Sequence, residues 1–393
     1  MNTLMDSGNS IRRKCLALQC VGLCLALIML SATTAAAHRK NKTIKVMSRN
    51  LYVGADIFRV VEAAANPDAG PLDVPIAVAD IFQTIQYTDF PERAQAIADE
   101  VKRLKPHLIG LQEVSKILEQ VPGDYLMGNP TAAEDLVYDY LSILMTALNE
   151  RKLCYEVAAV VINADVELPM LAGFTEEGSP ILNDVRLIDH DVILVRKDIK
   201  VQDALARNFS TNVIIPIGGA NIEFTRGYEI ANVKLQGRNV RFVNTHLEVG
   251  GGPNNASSAV QAAQMNELLT ILAAEDKPTI LLGDFNSAPE DPPIDSDLYG
   301  LIVPPYMQAV AGGYIDIFTL QKKLPEPTCC YNETVDDPDA SLYTRIDHIF
   351  VSDSLDLKRS KTRTVGDQES DMTPTGLWPS DHAGVQGIIQ IRK

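Results

Sequence analysis

Short apolar runs alternate with turn-forming clusters along much of this chain. The runs rich in β-branched residues predict strands at Ile44–Leu51, Leu108–Glu113, Glu156–Asn163, Asp191–Arg196, Tyr228–Leu235, Asn239–Thr245, Thr279–Gly283, Arg345–Ser352 and Val385–Ile391. Two stretches instead repeat apolar residues every three to four positions. Ala94, Ile97, Ala98, Val101 and Leu104 share one helical face, with Pro91 near its start. Val260, Met265, Leu268, Leu269 and Leu272 form a second such face, and Pro278 follows its end. Tyr228–Leu235 and Asn239–Thr245 are joined through Gln236, Gly237 and Arg238, a hairpin signal. Strands, helices and a hairpin together predict an α/β protein with antiparallel pairs, not a purely parallel sheet. Asn66–Pro75 and Pro289–Pro305 are rich in Pro and Asp and read as loops or insertions. The stretch 56–90 is longer than a tight connection needs. It carries the apolar run Val74–Ile85, so a helical lid or substrate wall is expected there.

The chain start follows a different pattern. Arg12, Arg13 and Lys14 precede an apolar run from Cys15 to Leu30, and small residues lead to Ala35-Ala36-Ala37. This is the layout of a secretory signal peptide, residues 1–37, with cleavage near Ala37. A membrane span needs roughly 20 apolar residues, so no span is expected in the mature chain, 38–393. The product would be secreted or periplasmic. Cleavage removes three basic residues and one acidic one, taking the formal charge from −16 to −18. Such an acidic chain has no net attraction to nucleic acid or anionic membranes, so a polyanion must be held by a local positive site or a bound cation. Cleavage also leaves three cysteines, Cys154, Cys329 and Cys330. The sequence leaves two options open: Cys154 pairs with one of the adjacent two, or all three stay reduced. A bridge between neighbours is disfavoured by geometry. No linker marks a boundary, so one domain and a monomer are expected.

The chemistry gathers at strand ends. Six blocks place polar residues where apolar continuation would be expected: Ser48-Arg49-Asn50, Gln112-Glu113, Asn244-Thr245-His246, Gly283-Asp284-Phe285-Asn286, Arg345-Ile346-Asp347-His348 and Ser380-Asp381-His382. Each alone reads as a turn or cap. Together they supply the carboxylates Glu113, Asp284, Asp347 and Asp381, the amides Asn50 and Asn286, and the imidazoles His246 and His382. Carboxylate and amide oxygens suit a hard cation such as Mg²⁺. His/Asp pairs suit proton transfer. The compact His/Cys spacing of a zinc site is missing, as are a Walker loop, a Gly-rich dinucleotide turn and a Gly-x-Ser-x-Gly elbow. Strand alternation turns His348 away from Asp347.

The order of these blocks, from Ile44 through Ile391, resembles the endonuclease/exonuclease/phosphatase superfamily. Gly-Asp-Phe-Asn and the final Ser-Asp-His carry the likeness, and Gln-Glu-Val and Thr-His-Leu strengthen it. Thr328-Cys329-Cys330 followed by Ser341-Leu342 and Arg345-Ile346-Asp347 resembles a secreted bacterial branch. The resemblance implies a four-layer sandwich, two mixed β-sheets flanked by α-helices, with the site where strand ends meet. It implies a divalent-metal-dependent hydrolase of phosphoesters using Mg²⁺, with Mn²⁺ or Ca²⁺ as alternatives. By motif, Glu113 resembles the principal metal ligand, with Asn50 and Asp381 beside it. Asp284 and Asn286 resemble the pair that orients the attacking water and contacts phosphate. His246 resembles the phosphate-binding histidine, and His382 the essential histidine held by Asp347. Arg226 is a further candidate for phosphate contact. The substrate is expected among nucleic acids, phospholipid head groups and small organophosphates. An extracellular nuclease, a sphingomyelinase-like phospholipase C and a catalytically silent binding protein are the competing readings.

Overall fold

The structure, a computed structural model, describes residues 42–128, 131–217, 220–322 and 325–392. The expected signal peptide lies outside these residues. Two large mixed sheets carry the fold. The first runs, in spatial order, β17 (Leu357–Val365), β18 (Gly384–Ile391), β1 (Lys42–Asn50), β2 (Leu108–Gln112), β6 (Pro180–Arg196), β3 (Lys116–Gln120) and β4 (Asp135–Asp139), with β5 (Tyr155–Phe174) paired along β6. The second runs β15 (Tyr314–Asp316), β16 (Asp347–Ser352), β12 (Thr279–Asp284), β11 (Arg238–His246), β10 (Gly227–Leu235) and β7 (Lys200–Asn208). Two small hairpins, β8 (Val213–Ile217) with β9 (Ala220–Phe224) and β13 (Ile294–Ser296) with β14 (Gly300–Ile302), complete the strands among the described residues.

Alternation along the central strands explains the layers. Ile44, Val46, Ile193, Phe242, Ile280, Leu282, Ile349 and Ile389 point between the sheets and form one buried core. The intervening residues face outward. Met47, Ile109 and Leu111 are covered by α3 (Phe90–Leu104) and α4 (Tyr140–Glu150). Val243, Leu281 and Phe350 are covered by α5 (Ala256–Ala273) and α6 (Pro305–Ala311). The four-layer α/β sandwich expected above is therefore the observed one.

Helix α3 shows how the sequence fixes an element. The Asp89 side chain accepts from the Glu92 N–H, and Pro91 occupies the first turn, where its missing donor costs nothing. All five residues of its predicted apolar face are buried. It ends at Lys105 in the left-handed conformation, directly before Pro106. The predicted hairpin is also present, with Gln236 and Gly237 both at positive φ (52° and 81°) and Leu235 opposite Arg238.

Other elements depart from expectation. The loop read over Asn66–Pro75 is shorter, because α2 (Asp73–Tyr87) already begins at Asp73; Pro75 is tolerated in its first turn. With α1 (Arg59–Ala65) it makes the 56–90 stretch helical, and it buries Val78, Ile81, Phe82 and Ile85. The loop read over Pro289–Pro305 contains the β13–β14 hairpin. β5 and β6 extend well beyond the runs that marked them. Cys329 and Cys330 are joined to each other as a disulfide, and Cys154, just before β5, takes no part in it. This corrects the expectation against a neighbour bridge. The fold holds the pair in place, since the Cys329 backbone bonds to Thr344 and bridges to His382. No helix among the described residues is long and apolar enough to cross a membrane.

Candidate active site

The two parallel strand pairs deliver the polar blocks to one end of the sandwich. β1 and β2 run in register from Val46/Leu108 to Asn50/Gln112, and β11 and β12 end together at His246 and Asp284. Antiparallel β16 begins beside them, with Asp347 opposite Asp284. Side chains far apart in sequence thus meet where strands of both sheets end. Gly283 makes the close approach possible: its φ is 145°, and a Cβ there would lie 1.9 Å from the Thr245 carbonyl oxygen.

Glu113, Arg226, His246, Asp284, Asn286, Asp381 and His382 line one cleft of about 400 Å³. Asn50 and Asp347 support it from behind. Asn50 Nδ2 donates to Glu113 Oε1 at 2.9 Å and to Asp284 Oδ2 at 3.2 Å, while its oxygen accepts from the Tyr52 N–H at 2.8 Å. Glu113 Oε2 accepts from the Val53 N–H at 2.8 Å. Asn50, expected among the metal residues with Glu113 and Asp381, thus spends its amide N–H on Glu113 and Asp284 and its oxygen on Tyr52. Asp284 Oδ1 accepts from the Asn286 N–H at 2.9 Å, and Asn286 Nδ2 donates to the Leu247 carbonyl.

The two histidines are set in opposite states. His382 Nδ1 lies 2.8 Å from Asp347 Oδ2, and its Nε2 lies 3.8 Å from Asp284 Oδ2. Burial opposes its charge, but Asp347, Asp381 and Asp284 outweigh that and hold its pKa well above the ordinary value. His246 Nε2 is 3.7 Å from Asp284 Oδ2, and the Arg226 guanidinium lies 3.2 Å from its Nδ1. Burial, with Arg226 and His382, keeps this imidazole neutral, its pKa well below the ordinary value. Burial also raises Asp284 to about 7, with Asp347 adding to the effect, and raises Asp381 to about 6.

The strand alternation that turns His348 away is realised. Its ring is buried beside Phe285, Tyr306 and Phe350, with Nε2 against the Ser287 carbonyl and Nδ1 against Arg345. His107 accepts from the Lys45 N–H and His190 bonds the Val114 carbonyl, so neither joins the cleft.

Sequence reading missed a second acidic group. Asp189 and Asp191 on β6 converge with His246, bridged by Asn163, which donates to both. Two carboxylates two positions apart in a strand share a face, and that spacing was the available signal. Ligand atoms of Asp189, Asp191 and His246, and separately of Asp284, Asp347 and His382, lie within 4.8 Å of one another. Asp191 Oδ1 and Asp347 Oδ1 are buried without a hydrogen-bond partner. A cleft walled by carboxylates, with buried oxygens unsatisfied, has the donor chemistry of a divalent-cation site.

Comparison with known proteins agrees with this architecture. No curated protein matches this chain in sequence. An endonuclease/exonuclease/phosphatase family protein from Bacteroides thetaiotaomicron is 16% identical, with a TM-score of 0.50 over 90% of this chain and 100% of that one. A truncated TDP2 from Caenorhabditis elegans is 16% identical, with a TM-score of 0.47 over 88% of this chain and 97% of that one. A mannosyl-6-phosphatase from Bacteroides thetaiotaomicron is 18% identical, with a TM-score of 0.48 over 88% and 99%. The Endonuclease/Exonuclease/phosphatase family model matches residues 85–382, a span that holds every candidate residue except Asn50. With most of its length covered by that match, this chain belongs to the endonuclease/exonuclease/phosphatase family, a family of phosphoester hydrolases.

Proposed function

We propose that this protein is an exported phosphoester hydrolase that works with a divalent cation, Mg²⁺ foremost. The observation that carries the reading is the convergence of the Asp347–His382 pair, Asp284 and Glu113 on one cleft. Glu113 and Asp381 would hold the ion, with Asn50 fixing the Glu113 carboxylate. The Asp189–Asp191–His246 group is a poorer seat, because the Arg226 guanidinium lies against it. Held by Glu113 and Asp381, the ion would offset substrate charge and polarise a phosphoryl oxygen.

The chain's own groups do the rest. Asp284 orients the attacking water, and a carboxyl titrating near 7 can accept its proton at neutral pH. His382, kept protonated by Asp347, donates from Nε2 to a phosphoryl oxygen as charge builds. His246, kept neutral, and Asn286 offer further polar contacts to the phosphate. Arg226 is held by Glu248 at 3.6 Å and supplies positive charge behind His246. The test is hydrolysis of bis-p-nitrophenyl phosphate by the mature chain, with Mg²⁺ and with EDTA. Turnover that EDTA abolishes supports the reading; no turnover with Mg²⁺, Mn²⁺ or Ca²⁺ returns the fold to a binding role.

A further inference from the structure

We propose that the substrate carries an apolar substituent beside its phosphate, and that this group enters a pocket under α1 and α2. The inference rests on the phosphoester reading and adds a substrate class to it. Besides its polar groups, the cleft is lined by Ile57, Phe58, Leu187 and Phe224. Ile57, Leu187 and Phe224 also line a second cavity of about 80 Å³, whose other walls include Val78, Phe82, Ile85 and Leu168. Every residue around that cavity is hydrophobic. The two spaces therefore adjoin at these three residues, which sets an apolar space next to the one proposed for the phosphate.

Three further observations favour this occupant. An apolar cavity stays dry and takes apolar guests, because water there finds no partners. Among the described residues lining the cleft, Arg226 is the only Lys or Arg, and its half-buried guanidinium is engaged by His246 and Glu248. Arg59 nearby is tied to Glu333 at 3.0 Å. A polynucleotide would find no basic track, whereas a phosphoester with one uncharged substituent needs none. Finally, α1 and most of α2 precede residue 85, where the family match begins. Ile57, Val60, Val78, Ile81 and Phe82 thus reach the pocket from outside the matched span and meet strand residues from within it.

The size sets the scale. A space of about 80 Å³ takes roughly three methylene-sized groups. The experiment measures kcat/KM of the mature chain with Mg²⁺ on alkyl p-nitrophenyl phosphodiesters from methyl to octyl. Alkyl phosphonates of the same lengths are measured in parallel as ligands by calorimetry. The expected result is a rise of about threefold to fourfold per carbon over roughly the first three or four carbons, then a plateau. Val78→Trp and Ile85→Trp, which fill the cavity, should flatten the rise, and Phe82→Leu should move the plateau to a longer chain. A flat series in an active enzyme overturns the pocket while leaving the hydrolase reading intact. If no ester is turned over, the hydrolase reading fails instead. The phosphonates then decide the pocket by themselves: tighter binding with length upholds it, and equal binding rejects it.

Discussion

His382 Nδ1 lies 2.8 Å from Asp347 Oδ2, while its other ring nitrogen lies 3.8 Å from Asp284. A carboxylate on one side of the ring therefore holds its orientation and favours its charged form, leaving Nε2–H to act toward the cleft. Asp347→Asn keeps the shape but removes the charge. It is expected to lower kcat by about 10²-fold to 10⁴-fold, with a smaller change in KM. His382→Ala should fall by a similar factor, and the double variant should fall little further, because the two groups act as a unit. Steady-state kinetics on the three proteins checks this; fully additive losses would show independent roles.

His348 is the internal control. It is buried among three aromatic rings and bonded at both nitrogens, on the face of β16 away from the cleft. His348→Ala should cost about 2–4 kcal/mol of stability through a cavity and broken hydrogen bonds. Urea unfolding reads the loss. The kcat of the folded fraction should remain near that of the parent, and a collapse matching His382→Ala would refute the division of roles.

The ion requirement tests Asn50. Because its amide N–H holds Glu113 at 2.9 Å, Asn50→Ala should raise the Mg²⁺ concentration for half-maximal rate by about 10–100-fold. Glu113→Gln should raise it further, and EDTA should silence the parent. Titration of rate against Mg²⁺ separates these cases. An unchanged requirement in Asn50→Ala would mean that Glu113 needs no such support.

Much of this arrangement could be read before any coordinates, and the exceptions have physical causes. β2 and β12 are buried on both faces and end abruptly in polar residues, so both strand and site stood out together. β17 was invisible because it is an edge strand with Lys358, Arg359, Lys361 and Arg363 along it, the charges that keep an edge from pairing with another chain. β3 and β4 are short and half-exposed. Asp189 and Asp191 escaped notice because they lie midway along β6, whose polar first half, Pro180–His190, hides it as a strand. The apolar run in α2 was visible, but its meaning depended on β5, β6 and β9, which lie far along the chain.

A pH effect on stability comes from His107, away from the cleft. Burial, with Arg196 adding to it, lowers its folded pKa to about 4 from the ordinary 6.5, and its Nδ1 accepts from the Lys45 N–H. The unfolded chain takes up this proton near pH 6.5, the folded chain only near 4. Its contribution is therefore complete above pH 6.5 and is lost as pH falls toward 4. Thermal midpoints at pH 7 and pH 4.5 should differ more in the parent than in His107→Asn. Equal differences would exclude His107 as a source.

The cleft takes its groups from both sheets, and beneath it those sheets pack on a shared layer of Ile44, Val46, Phe242, Leu282 and Ile349. No half of the molecule owns a working set of side chains. Turnover should consequently vanish in step with global melting along a denaturant titration, making the enzyme's own rate a gauge of whether its interior is still intact.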